Sequence, residues 1–75
     1  MNRNVIAFLK SGQTVVMNME ANEAKILLGD HSAFVNDKEA KTAEFYNCSI
    51  DGLSGVIAVD FSNISMLYLQ GETVG

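Results

Sequence analysis

Two β-favouring runs, Val5 to Lys10 and Gln13 to Met19, stand either side of Ser11-Gly12. No other feature limits the possible folds of this chain as strongly. Glycine suits the positive φ of a two-residue hairpin turn, so the spacing predicts an antiparallel hairpin with Lys10 opposite Gln13. Phe8 then faces Val15 and Ile6 faces Met17, with these four on one face. Val5, Ala7, Leu9, Thr14, Val16 and Asn18 share the other. Both faces are mainly apolar, as in a strand pair covered on two sides. At 75 residues the chain buries a smaller share of its surface than a large domain would. A partner chain is therefore expected on the second face, and Val5, Ala7, Leu9 and Val16 form the candidate interface.

The rest of the chain supplies one helix and three more strands. Ala21, Ala24, Leu27 and Leu28 recur at helical spacing within Glu20 to Leu28, and Gly29 is placed to end the helix in the left-handed conformation. Two and a half turns are not stable alone, so the helix must dock on the sheet. Asp30 to Lys41 reads as a loop in which Phe34 or Val35 is tacked against the core. Thr42 to Ile50 alternates, with Glu44, Tyr46, Cys48 and Ile50 on one face. Asp51-Gly52 and Ser54-Gly55 are rival turns, leaving the next register open. Val56 to Phe61 and Ser65 to Gln70 are strands, separated by Ser62-Asn63. The expected fold is α+β: a small antiparallel or barrel-like sheet, ordered β-β-α-β-β-β, with one short helix packed on it. Residues 1–75 form a single domain in this reading.

Charge and residue usage restrict function. Nine acidic residues against five basic give a formal net charge of -4. Arg3, Lys10, Lys25, Lys38 and Lys41 are scattered, which argues against a phosphate-tracking surface and against an anionic membrane. Cys48 is the sole cysteine, so neither an internal disulfide nor a thiolate metal cluster can form, and a cytoplasmic, reducing location is expected. The Val5 to Leu9 run is too short for a signal-peptide core, and no segment approaches a membrane span. Asn47-Cys48-Ser49 and Asn63-Ile64-Ser65 fit the glycosylation pattern, which has meaning only in a secreted chain.

Candidate chemistry is sparse. His31 lacks a nominated nucleophile or orienting partner and reads as a solvated or capping residue at the helix end. Cys48 lies within a strand, away from the helix N-termini that stabilise thiolates. Asp30, Asp37, Glu39 and Glu44 match no calcium-loop spacing, and lysines interrupt them. Met17, Met19 and Met66 read as core filling. Phe45, Tyr46 and Tyr68 could stack on bases, but Glu44 stands where a flanking cation is needed. No catalytic residue, cofactor or metal is therefore expected. The expected role is a non-enzymatic module that associates with itself or with another protein.

Leu69-Gln70-Gly71-Glu72-Thr73-Val74 resembles the second signature of Sm-like RNA-binding barrels, in which an apolar residue precedes Arg-Gly and another apolar residue lies three positions after the glycine. Gln70 occupies the arginine position. Val5 to Met19 is loosely similar to the first hairpin of that fold. The resemblance implies a ring-forming small barrel and a nucleic-acid-binding alternative to the assembly role.

Overall fold

The computed structural model describes residues 1–37 and 39–71. Five strands and one helix follow in the order β1 (Asn2–Leu9), β2 (Thr14–Glu20), α1 (Ala21–Asn36), β3 (Ala43–Ile50), β4 (Leu53–Asp60) and β5 (Ile64–Leu69), with a 3-10 turn at Phe61–Asn63 before β5. All neighbouring strands are antiparallel and the spatial order is β4-β3-β2-β1-β5. The architecture is α+β, a five-stranded antiparallel sheet with a helix on one face. β4 and β5 are opposite edges, yet three residues join them. The sheet must therefore curl until its two edges approach at that end.

The first hairpin differs from the sequence expectation by one residue. Leu9, not Lys10, faces Gln13: its N–H donates to the Gln13 carbonyl and its carbonyl accepts from Gly12, both at 2.9 Å. Lys10-Ser11-Gly12 is thus a three-residue loop with Gly12 at φ +93°. A primed two-residue turn would require Ser11 to take positive φ as well; the longer loop confines that demand to glycine. The slip changes every cross-strand pair. Val5 now faces Met17, Ile6 faces Val16 and Ala7 faces Val15.

The core face therefore carries Val5, Ala7, Met17 and Met19, all buried, with Leu9 and Val15 packed against them. Ile6, Phe8, Val16 and Asn18 point outward. This corrects the predicted interface. Val5, at 0% exposure, and Ala7 lie under the chain's own helix, Leu9 packs beside them, and only Val16, 48% exposed, belongs to the outer face.

The helix is also longer than expected. It runs through Gly29, which lies at ordinary helical φ, and ends at Asn36. The apolar stripe Ala24, Leu27, Leu28 continues into His31 and Phe34, and both rings pack on the buried Phe61, with centroids 6.1 and 5.9 Å from it. That burial outweighs the roughly 1 kcal/mol cost of an internal glycine. The predicted loop over residues 30–41 is thus helical in its first seven residues. Glu20 caps the N-terminus by accepting from the Asn22 and Glu23 N–H groups, and the Asp37 N–H closes the last turn on the Ala33 carbonyl.

Asp51-Gly52 is the turn used between β3 and β4. Both residues have positive φ, 53° and 80°, as a type I′ hairpin requires. β4 consequently begins at Leu53, three residues before the expected start. Tyr46, Cys48 and Ile50 face the core, where they meet Ile57 and Val59 from β4.

Candidate functional site

The helix covers one face of the sheet, and the other face has no cover among the described residues. Its apolar side chains include Phe45 and Val56, 69% and 67% exposed, together with Val16, Met66 and Tyr68. Register brings a polar row through their midst. Gln70, just past β5, pairs with Asn4 through its N–H and the Asn4 carbonyl (2.9 Å). Asn4 is opposite Asn18, Asn18 opposite Ser49, and Ser49 opposite Ser54. One line of amides and hydroxyls thus crosses all five strands.

Side-chain bonds link much of this row. Asn2 Nδ2 donates to Asn18 Oδ1 (3.0 Å), Asn18 Nδ2 to Asn4 Oδ1 (2.9 Å) and Asn4 Nδ2 to Gln70 Oε1 (3.1 Å). The hydroxyls of Ser49 and Ser54 are 2.9 Å apart. The Arg3 guanidinium, on the opposite side of β1, donates twice to the Gln70 carbonyl. Three shallow clefts of about 500, 430 and 420 Å³ meet along the row, and Asn18 lines all of them.

The strand edges form a second feature. Ile50 and Leu53 flank the two-residue turn and so exchange hydrogen bonds; alternation along β4 then points the N–H groups of Ser54, Val56 and Ala58 away from β3. Because the Gln70 N–H is given to Asn4, the same alternation turns the Leu67 and Leu69 N–H groups outward from β5. Proteins usually protect such edges with lysine, proline or a bulge. β4 reads LSGVIAVD and β5 reads ISMLYL, with Asp60 the only charge in either.

A third, shorter edge arises inside the sheet. β2 gives way to the helix after Glu20, while β3 still runs back to Ala43. The Asn47 and Phe45 N–H groups, which face the missing strand, are met instead by the carboxylates of Glu23 (3.2 Å) and Glu44 (2.9 Å).

The residues singled out for chemistry in the sequence do not converge. His31 packs against Phe61 on the core side, where burial lowers its pKa below 6.5. Cys48 is half-buried on the core face, and burial pushes its thiol pKa up, away from reactive thiolate. Asp30 accepts a 2.5 Å hydrogen bond from the buried Tyr46 hydroxyl and lies 3.8 Å from Lys41, which pairs more closely with Glu44 at 2.9 Å. Asp37 is occupied with the Glu39 N–H. Among the described residues, no group of three or more His, Cys, Asp or Glu side chains could hold a metal ion. Tyr46 is inside, while Phe45 and Tyr68 stand outside on β3 and β5 with two strands between them, so the three rings form no common platform. No helix of the described residues is long and apolar enough to cross a membrane.

The polar row was missed in the sequence because it depends on register: Asn4, Asn18, Ser49 and Ser54 become a line only after the one-residue slip and the choice of turn. The Sm-like segment is described only to Gly71; Glu72, Thr73 and Val74 lie outside the described residues. The class defined by this geometry is a curled five-stranded antiparallel sheet with a single covering helix between its second and third strands. Comparison with protein-family models, curated proteins and solved structures yields no match for the chain.

Proposed function

We propose that this protein is a non-enzymatic assembly module in which the open β4 edge of one copy pairs with the open β5 edge of the next. The observation that carries this reading is the pair of apolar edges, with a single charge between them and a bulge only at the Ser65 end of β5, each with its own row of outward N–H groups. Two different edges on one chain make a head-to-tail contact, which closes into a ring or grows into a filament according to the rotation per copy. The backbone bonds would supply affinity, and the exposed side chains of Val56 and Met66 would add apolar contact.

Ala58→Pro tests this. Proline at Ala58 removes an outward N–H, leaves the ladder to β3 intact, and is tolerated on an edge strand. Light scattering should show an oligomer for the parent chain and a monomer for the variant, with matching circular dichroism. A parent chain that stays monomeric at high micromolar concentration would refute the proposal.

The curl of the sheet also suits the nucleic-acid-binding barrel that residues 69–74 resemble. The net charge of -4 opposes it. RNA or single-stranded DNA binding at low salt, where phosphate contacts are strongest, is its test.

A further inference from the structure

The polar row invites a ligand of its own, on a surface separate from the edges. The five side chains that make it, Gln70, Asn4, Asn18, Ser49 and Ser54, carry no formal charge. Charge near it is mixed: Glu20, Glu23 and Asp51 line the clefts, against Arg3 and the Met1 ammonium. Neither sign dominates, so a polyanion would find no basic stripe there and a cation no set of converging carboxylates.

The hydrogen-bonding capacity of the row is equally specific. An amide has two N–H donors and two acceptor positions on its oxygen. Asn18 gives one N–H to Asn4 and accepts one from Asn2; Asn4 gives one to Gln70 and accepts one from Asn18. Each therefore retains one donor and one acceptor, held by its neighbours in a fixed orientation. Asn4 and Asn18 place this pair on adjacent strands ~4.8 Å apart, and the five strands extend the row over about 19 Å. Hydroxyls, which donate and accept from one atom, match this pattern. Beside the row stands the Tyr68 ring, half exposed on the same face of the sheet and two residues from Gln70. A ligand with hydroxyls at its rim and an apolar C–H face would use both the amides and the ring.

We propose that the outer face binds a linear, uncharged polysaccharide lying across the strands along Gln70, Asn4 and Asn18, with a sugar ring stacked on Tyr68. Orientation of the amides before binding reduces the ordering cost that exposed polar side chains otherwise impose. The site is complete in one copy, so it does not depend on the edge pairing proposed above.

Cellotetraose, a neutral linear glucose tetramer of about the row's own length, is the probe. Titrated into the 15N-labelled chain, it should produce saturable shifts in the side-chain amide resonances of Asn4, Asn18 and Gln70. The monomeric Ala58→Pro variant should respond identically, which separates this site from assembly. Asn18→Ala should weaken binding by about tenfold, the equivalent of one or two neutral hydrogen bonds. Tyr68→Ala should weaken it comparably while leaving the amide relay intact, so the test survives if Asn18→Ala disturbs the sheet. Absence of shifts at millimolar sugar overturns the proposal, as do shifts that both variants leave unchanged. So does a polyuridylate probe moving the same resonances while the sugar does not, which would assign the face to nucleic acid.

Discussion

Replacing Tyr46 with phenylalanine isolates one side-chain contact that ties the helix to the sheet. The Tyr46 hydroxyl donates to Asp30 Oδ2 at 2.5 Å, and the ring around it is buried at 2% exposure. A hydrogen bond to a charged acceptor contributes about 1.5–3 kcal/mol. The Asp30 side chain keeps 22% of its surface and has Lys41 3.8 Å away, so water and the ammonium recover part of that on mutation. A net loss of about 1.5 kcal/mol follows, which for a domain of this size lowers Tm by roughly 6–12 °C. The same contact sets an alkaline limit. Burial and the Asp30 carboxylate hold the Tyr46 pKa well above its ordinary value. Above pH ~10 the unfolded chain releases this proton and the folded chain keeps it, so stability falls with rising pH by up to about 1.4 kcal/mol per unit. Burial raises the Cys48 pKa in the same sense, so the comparison belongs in a Cys48→Ala background. Urea unfolding from pH 7 to 11, with and without Tyr46→Phe, measures both effects. An unchanged midpoint at pH 7 together with an undiminished alkaline decline would refute the coupling of α1 to β3 through this pair.

Other perturbations test the fold at separate points. Gly29→Ala should stabilise the chain by about 1 kcal/mol, because the position is helical and its surroundings are open; Gly12→Ala should destabilise it by a similar amount, because φ +93° strains any side chain. Thermal melts of the two variants should move in opposite directions. Phe61→Ala removes the ring that His31 and Phe34 pack against and should cost about 3–5 kcal/mol in urea unfolding. Burial depresses the His31 pKa, so the folded state resists a proton that the unfolded state accepts below pH 6.5. Stability should therefore decline as pH falls from 6.5, and His31→Leu should flatten that part of the profile.

The order of elements was legible in the sequence because period-two and period-3.6 patterns are strong in Val5 to Leu28 and in Thr42 to Ile50. Errors arose where glycine had two available uses. Gly12 could serve a two-residue or a three-residue loop, and only the second spares Ser11 a positive φ. Gly29 could end the helix or be carried through it, and the answer lies with Phe61, thirty-two residues away in sequence, whose ring gives His31 and Phe34 a surface to bury. The stripe through Ala24, Leu27, His31 and Phe34 was present in the sequence but was outweighed by the local cap signal. For the candidate sites, alternation alone grouped Tyr46, Cys48 and Ile50 on one face of β3, whereas the amide row required three registers at once.

The short β4 to β5 connection bears on both proposals. Because Phe61–Asn63 draws the two edges together at one end, the Lys10 N–H can reach the Asn63 carbonyl (2.9 Å) and the Phe61 N–H the Thr42 carbonyl (3.0 Å). The edges are constrained where they meet and diverge beyond, so the free length for pairing lies toward Ser54 on β4 and Leu69 on β5. Those are also the ends where the polar row leaves the sheet, at Ser54 on one side and Gln70 on the other. Copies joined β4 to β5 in the antiparallel sense would therefore bring the Ser54 end of one row toward the Gln70 end of the next. Under the two proposals together, a longer glucan should bind the oligomer more tightly than the Ala58→Pro monomer, while cellotetraose binds both equally.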